Sequence, residues 1–358
     1  MKQTEPDPAA GKKQNVCPDK RLDFTRAINP LGCSAKIKSF FSGTVNQYGC
    51  LAGNKDTPLV EILSGYHHLP ATCFLYGRGS TEFLYLVPKT FRPKAVLVTE
   101  PVFRNYQAGY PKPKAVVFHK SIFSDNAFVL NKHKLFKELK RGYRALYLPN
   151  PLSPAGKLIP RQDLEEIIHV AKKRNVRVVL DESAIDYHEK HSMKNKAPGN
   201  AHLIILRSMS DFFSLPGLRV GYIISHPDTI AKIRSQQKPA PQSLLPERLA
   251  GEALKDTGHI RRSRRYFHET RRAFMQKLTT LPFFEIYRGD ANFILAKLRP
   301  SVRLTPAEIC KRLRVKGIRI NPCLDVCGLG DRYFRIAVKN KGANNRLISE
   351  LMKLGITR

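Results

Sequence analysis

Short apolar runs that alternate with longer stretches of helical periodicity are the feature that most constrains how this chain can fold. Several runs are nearly continuous in Val, Ile and Leu, as expected for strands that are covered on both faces. In the stretch 161–175 the apolar residues fall on one helix face. This alternation predicts an α/β fold with a mainly parallel sheet, helices on both sides and ligands outside the carboxyl ends of the strands. The predicted strands lie within 73–77, 94–101, 114–119, 144–151, 176–183, 202–208 and 218–225.

The pattern changes after about residue 245. A long basic helix is predicted over 246–279, and two strand regions, 284–298 and 332–340, are separated by a helix over 306–317. These elements predict an α+β unit, and hence a second, smaller domain. The predicted divisions are an N-terminal arm over 1–40 that packs with the small domain, a large ligand-binding domain over 41–245 and the small domain over 246–358.

The net charge of +33 is unusual for a metabolic enzyme, because such a field attracts nucleic acid, acidic lipid and polyanionic metabolites. The densest basic stretch, 259–272, has two interpretations: a solvated helix face in a chain that is basic throughout, or a nucleic-acid-binding surface. The first is favoured, because Lys and Arg are spread along the chain and no recognised nucleic-acid-binding module is present.

Composition narrows the class of protein further. Hydrophobic residues make up 42% of the chain, which indicates a folded globular protein. No apolar run approaches the roughly 20 residues of a membrane helix, and the polar start lacks the apolar stretch of a secretory signal. The seven cysteines are odd in number and mostly far apart, which favours reduced thiols in the cytoplasm. No His and Cys cluster completes a zinc site, so no metal is expected.

The segment GRGST, 77–81, has the character of a phosphate-binding turn. Glycine at 77 and 79 allows the backbone to approach a ligand closely. The segment follows a predicted strand and opens a helix, so the amides of Gly79, Ser80 and Thr81 are expected to face an anion at the positive end of the helix dipole.

Seven motifs, one of which contains this segment, occur in the order that is found in one family of enzymes. From Asp23 almost to the C-terminus the chain resembles the fold-type I pyridoxal-phosphate enzymes, and most of all the group of threonine-phosphate decarboxylase and histidinol-phosphate aminotransferase. The resemblance implies a mainly parallel seven-stranded sheet with helices on both sides and a smaller α+β domain. The motifs are DFTRAINPLG (23–32), YGRGSTEFLYLVP (76–88), NPLSPAGKLIPRQDL (150–164), LDESAIDY (180–187), RSMSDFFSLPGLRVGY (207–222), ANFIL (291–295) and GLGDRYFRIAVK (328–339).

The resemblance also implies a role for individual residues. Asp181 corresponds to the carboxylate that keeps the cofactor ring protonated, so that the ring can act as an electron sink. Ser208 and Arg219 correspond to ligands of the cofactor phosphate, and Arg335 to the clamp on the substrate carboxylate. The remaining correspondences are Phe103 stacked on the ring, Ser153 beside the phenolic oxygen, Tyr48 at the phosphate held by the neighbouring subunit, and Asn29 and Asn292 at the substrate.

The same resemblance exposes a departure at Asp211. The family has a lysine there, which forms an imine with the cofactor and shuttles protons. A carboxylate cannot form that imine, and it brings negative charge close to the cofactor phosphate. Ser153, Ala184 and Ala27 stand where the family has other residues, which points to a relaxed demand on the site.

Three functions remain open at this point. The first is a homologue of threonine-phosphate decarboxylase, an enzyme of cobalamin biosynthesis, that is catalytically impaired or a pseudoenzyme binding an anionic ligand. The second is a lysine-independent decarboxylase or aminotransferase that acts on a phosphorylated amino acid. The third is a basic protein associated with nucleic acid. In the first two, pyridoxal phosphate is held noncovalently if it is bound at all, and the resemblance implies a homodimer. The composition predicts a cytoplasmic protein with no membrane partner.

Overall fold

The computed structural model describes residues 21–45, 58–103, 106, 109, 116–119, 128–237 and 244–355. Its main layer is a seven-stranded sheet in the order β2-β9-β8-β7-β6-β3-β5. Strands β8, β7, β6, β3 and β5 are parallel, and β9 is antiparallel to both of its neighbours. The strands are β2 (Phe74–Gly77), β3 (Val96–Thr99), β5 (Val116–His119), β6 (Ala145–Pro149), β7 (Arg177–Asp181), β8 (Leu203–Ser208) and β9 (Gly221–Ser225). The seven-stranded, mainly parallel sheet is confirmed.

Helices pack on both faces of this sheet through two separate apolar cores. In the helix that begins at Arg161, the buried side chains are the four apolar ones spaced three and four residues apart, as the sequence predicts. The helices between Ala35 and Arg234 are α1 (Ala35–Val45), α2 (Leu59–His67), α3 (Ser80–Phe91), α4 (Lys132–Leu139), α5 (Arg161–Lys173) and α6 (Pro227–Arg234). Short 3-10 helices are formed by Ala71–Cys73, Ile185–His191 and Lys194–Lys196.

The C-terminal part forms a three-stranded antiparallel sheet in the order β10-β11-β14. Its core is separate from that of the large sheet and includes Phe24 from the N-terminal segment. Strand β1 (Leu22–Asp23) pairs with β12 (Ile318–Arg319), which ties this segment to the small domain. The other elements are α7 (Leu244–Lys255), α8 (Thr257–Thr279), β10 (Phe284–Tyr287), β11 (Phe293–Leu298), α9 (Pro306–Val315), β14 (Tyr333–Ala337), α10 (Lys341–Lys353), and the pair β4 (Val102–Phe103) and β13 (Val326–Cys327).

The prediction of one helix over 246–279 is wrong. Helix α7 ends at Lys255, and Asp256 begins α8 by accepting a hydrogen bond from the amide of His259. Helix α7 and the first half of α8 pack into the core of the large sheet, whereas α8 from Phe274 onward packs into the core of the small domain. The domain boundary at residue 245 stays a prediction, and the change of core lies within α8.

Within the described ranges, no helix is both long and apolar enough to cross a bilayer. The cysteines there, at positions 33, 73, 310, 323 and 327, form no disulfide with one another. The same ranges contain no group of His, Cys, Asp and Glu that is arranged to hold a metal ion.

Candidate cofactor site

The GRGST segment forms the glycine turn at the start of a helix that its sequence predicts, and its role in binding phosphate stays a prediction. Helix α3 begins at Ser80, and Gly79 precedes it with φ at +78°, a conformation that side chains rarely adopt. A Cβ atom at Gly79 would lie 3.3 Å from a terminal nitrogen of Arg219. The first amides of a helix have no partner inside the helix, so those of Ser80 and Thr81 can serve an anion at this end.

Arg219 and Ser208 lie at the same corner. The Arg219 side chain is exposed and donates to the Thr81 hydroxyl across 3.4 Å. Ser208 is the last residue of β8 and pairs with Gly221, the first residue of β9. Gly221 in turn leaves no room for a Cβ against the backbone of Ser80. The β8–β9 corner therefore packs directly on the start of α3 and brings a hydroxyl and a guanidinium to the turn.

Arg219 differs in one respect from what the sequence suggests. An apolar strand start at 218 predicts a buried guanidinium, but β9 begins only at Gly221 and the Arg219 side chain is exposed. The residue adopts φ of +54° in the connection before the strand. The guanidinium is consequently open toward an anion arriving from solvent.

Asp181 lies at the carboxyl end of β7, in the middle of the sheet. Its carboxylate accepts a hydrogen bond of 2.5 Å from the hydroxyl of Tyr106 and one of 2.9 Å from the amide of Ser183. Tyr106 is buried, and burial together with the negative charge of Asp181 raises the pKa of its hydroxyl well above the usual value. Tyr106 was not singled out in the sequence, although it follows Phe103 by three positions.

Several buried polar atoms near these strand ends have no hydrogen-bond partner in the described part of the chain. They include Nδ2 of Asn150, Oγ of Ser183, the hydroxyl of Tyr187 and Oδ1 of Asn292. Asn150 follows β6 directly, and its backbone N–H donates to the Asp181 carbonyl across 2.8 Å. Buried polar atoms are normally satisfied, so this group favours a polar ligand at the edge of the sheet.

Asp211 lies in the turn after β8, close to the phosphate-binding corner in the chain. Its carbonyl accepts hydrogen bonds from the amides of Asn29 and Ser214, which hold the turn against the N-terminal segment. Burial raises the pKa of the Asp211 carboxyl, and the positive charges of Arg335, Lys339 and Arg26 partly offset this effect. The position at which the resemblance implies a lysine thus holds a half-buried acid whose pKa is influenced by three basic side chains.

Arg335 and Lys339 approach this acid from the small domain. Arg335 lies on β14 and donates to the Thr25 carbonyl across 3.1 Å. Lys339 donates to the Arg26 carbonyl across 2.7 Å. Burial lowers the pKa of the Lys339 amine, against the opposing effect of Asp23 and Asp211. Lys339 is therefore a lysine near Asp211 that sequence reasoning did not single out.

The remaining predicted residues have mixed outcomes. Asn29 donates to the Phe212 carbonyl and the Ser263 hydroxyl, and its oxygen accepts from Leu31, so its side chain positions the loop of Asp211. Asn292 donates to the Ala27 carbonyl. Their contact with a substrate stays a prediction.

Ser153 lies half-buried in the turn after β6 and precedes a cis Pro154. Phe103 lies on β4, but its side chain is outside what the structure describes, and Tyr48 lies outside the described residues altogether. The roles of these three residues also stay predictions.

The basic stretch 259–272 forms part of α8. Two of its arginines are tied to main-chain carbonyls: Arg264 donates to Asp186, and Arg271 donates to Gly289 and Ala291. Exposed arginines at 261, 262, 265 and 272 occupy the other face. The stretch is an amphipathic helix with structural arginines, which supports the first of its two interpretations.

The comparisons with known proteins agree with this geometry. The model of the family described as aminotransferase class I and II matches residues 43–351. The chain belongs to this family. Threonine-phosphate decarboxylase of Salmonella typhimurium is 29% identical over 343 residues, which cover 94% of this chain and 92% of the relative.

Two solved structures show the same fold. Histidinol-phosphate aminotransferase from Clostridium acetobutylicum superposes with a TM-score of 0.83 at 24% identity, over 93% of this chain and 98% of the other. Histidinol-phosphate aminotransferase from Sinorhizobium meliloti, solved in complex with pyridoxal-5'-phosphate, gives 0.78 at 16% identity, over 93% and 90%. The fold-type I architecture is confirmed.

The residues of this family member fit pyridoxal phosphate at two ends of the ligand. The turn at Gly79 with Arg219 suits the phosphate, and Asp181 suits a protonated ring nitrogen. At the third end, where the aldehyde would meet an amine, the resemblance assigns Asp211, and this correspondence stays a prediction. The described residues fit the phosphate and the ring nitrogen of the cofactor.

Proposed function

We propose that this protein is a homologue of threonine-phosphate decarboxylase that holds pyridoxal phosphate noncovalently and is catalytically impaired. The observation that carries the proposal is the acid at position 211, in the turn directly after the strand that ends at Ser208. Every side chain of the cradle described above can bind the cofactor without an amine at that position.

The loss of the amine has a physical cost for catalysis. The cofactor supplies an electron sink once it is joined to an amino-acid substrate. A lysine would deliver the aldehyde to the substrate amine and then move protons at the reacting carbon. A carboxylate at Asp211 can accept or donate a proton but cannot form the initial link. Its raised pKa, caused by burial, lets it hold a proton at higher pH than an exposed acid.

The ligand that we propose is a phosphorylated amino acid with pyridoxal phosphate. Arg335 offers a fork of donors for the substrate carboxylate, and the positive charges at Arg26 and Lys339 surround the same space. The Salmonella relative, whose name assigns it threonine phosphate, covers nearly the whole chain. We further propose a homodimer, as the family resemblance implies.

Replacing the acid by the family's residue tests the proposal. In Asp211→Lys, we expect an absorbance band of a borohydride-reducible imine with pyridoxal phosphate and a gain of carbon dioxide release from threonine phosphate. The matched control is Asp228→Lys, an exposed acid on α6, which makes the same charge change and should give neither signal. An Asp211→Lys protein that folds but neither binds the cofactor nor forms an imine would contradict the retained cradle.

A second candidate is a working enzyme in which another amine replaces the lysine. The observation that favours it is Lys339, whose amine has a lowered pKa because of burial and lies in the field of Asp211. A lowered pKa leaves more of the amine unprotonated, and the unprotonated amine is the nucleophile. The two candidates differ in one observable, because only the second requires a covalent link between Lys339 and pyridoxal phosphate in the unchanged protein.

A further inference from the structure

A row of basic residues lies at the opposite end of the sheet from the cofactor site. Four neighbouring strands, β3, β6, β7 and β8, begin at this edge. Each brings a basic residue at or just before its first position. These residues are Lys94 before β3, Arg144 before β6, Arg177 at the start of β7 and His202 before β8. Neighbouring strands are about 4.8 Å apart, so the backbones of these four residues lie close together along the edge.

The strand register fixes this row. The amide of Arg144 donates to the Ala95 carbonyl and that of Arg177 to the Arg144 carbonyl, across 2.8 and 3.0 Å. The amide of Val178 donates to the His202 carbonyl across 2.7 Å. The backbone of the row is therefore held by the sheet itself and is already organised without a ligand.

A recess of about 350 Å³ opens on this row. Its lining residues include Phe91 and five basic residues, Arg92, Lys94, Arg144, Arg177 and His202. No carboxylate is among them, and none of the basic lining residues lies within salt-bridge distance of a carboxylate in the described ranges. Its volume falls in the range of small-molecule sites, which start at about 300 Å³.

The inner wall of the recess is formed by an arginine side chain stacked on an aromatic ring. The Arg177 guanidinium lies 3.6 Å from the ring centroid of Phe91 and donates to the Ala201 carbonyl across 2.9 Å. Nδ1 of His202 is buried without a hydrogen-bond partner in the described part of the chain. Burial lowers the pKa of His202, and the charges of Arg177 and Lys172 lower it further, which indicates a positive field that nearby acids do not cancel.

We propose that this recess binds an oligophosphate chain, either inorganic or carried by a nucleotide. Several basic residues around one recess match a chain of phosphate groups better than a single anion, because each phosphate can meet a different side chain. The planar guanidinium of Arg177 offers a face for a base if the chain belongs to a nucleotide. The site is separate from the cofactor cradle, because the length of β7 places about 13 Å between Arg177 and Asp181.

Calorimetric titration at low salt tests this site with inorganic triphosphate, ATP and adenosine as probes, in protein saturated with pyridoxal phosphate so that the turn at Gly79 is occupied. We expect one triphosphate per chain, an affinity that falls with salt, and competition by ATP. Equal affinity for triphosphate and ATP shows that only the phosphate chain is recognised. Tighter binding of ATP shows that the base is recognised as well. Adenosine alone should not bind. Arg219→Ala should leave triphosphate binding unchanged, which separates this site from the cradle.

Charge reversal at the exposed part of the row gives the decisive comparison. Lys94→Glu combined with Arg144→Glu should weaken triphosphate binding by about tenfold or more, since two contacts become repulsive. The matched control is Lys311→Glu combined with Arg314→Glu, which are exposed on α9 and make the same change in net charge. The proposal is overturned if triphosphate does not saturate, if both double variants weaken it equally, or if single-stranded DNA binds at the row and triphosphate does not.

Discussion

At the scale of single residues, the polar residues that could be identified from the sequence are those that belong to a motif. Asp181 and Ser208 lie at the ends of strands, where the sequence placed them, whereas Arg219 lies in the connection before β9. Tyr106 and Asn150 were missed, because what singles them out is a contact with Asp181 made by a different part of the chain. For Asn150, the one available signal was its own position at the end of a predicted strand.

The same is true of His67, which no motif marks. It is buried, and its ring contacts the Tyr222 hydroxyl at 2.8 Å and the Lys194 amine at 3.2 Å. Burial lowers the pKa of His67 from 6.5 to about 4, with Glu189 opposing the shift and Arg207 adding to it. The unfolded chain therefore takes up a proton near pH 6.5 that the folded protein accepts only near pH 4.

The folded protein should accordingly lose stability as the pH falls from 7 to 5. The contribution of His67 to this loss is about 2 kcal/mol. We expect that His67→Gln removes this part of the pH dependence of the free energy of unfolding, measured by denaturant titration at the two pH values. His169→Gln, an exposed histidine on α5, is the control and should leave it intact. An unchanged slope in His67→Gln would mean that His67 is protonated in the folded state.

At the scale of elements, the apolar runs predicted the strands because burial on both faces leaves little choice of residue. The direction of β9 could not be read in this way, since an apolar run is the same in both orientations. The break between α7 and α8 was missed because the apolar periodicity continues across it. Its cause is the local cap at Asp256, which competes with a continuous helix.

The start of α3 supplies a test at this scale. Gly79→Ala should lower the free energy of unfolding by about 1 kcal/mol, because the residue has φ of +78°. It should also weaken pyridoxal phosphate binding, since the new methyl group meets Arg219. Gly142→Ala has the same backbone strain, with φ of +90°, but no neighbour within 4 Å. The control should lose similar stability and keep its affinity, and equal losses of affinity would contradict the role of the turn.

At the scale of the whole molecule, the basic residues that give the net charge of +33 occur in at least two structural settings. Some arginines are bound to main-chain carbonyls inside the protein, as on α8. Others converge at one edge of the sheet, where four strands place them side by side. The sequence showed the amount of charge but not this convergence, because it depends on strand order and register.

The two ends of the sheet then have different chemistry. The carboxyl edge holds a cradle of mixed charge around Asp181 and Asp211, whereas the recess at the amino edge is lined by cations without acids. The family fold explains the first, and the register of this chain explains the second. The central claim concerns the first edge: the cradle for pyridoxal phosphate persists although the amine that would hold the cofactor covalently is absent.

Intact-protein mass spectrometry after borohydride reduction tests this claim most directly. The unchanged protein and Asp211→Lys are each saturated with pyridoxal phosphate, and binding is verified by equilibrium dialysis. Both samples are then reduced, and their intact masses are compared. We predict saturable binding with no site-specific covalent adduct in the unchanged protein, and one adduct per chain in Asp211→Lys. A stoichiometric adduct on Lys339 of the unchanged protein, or no binding in either protein, would contradict the account.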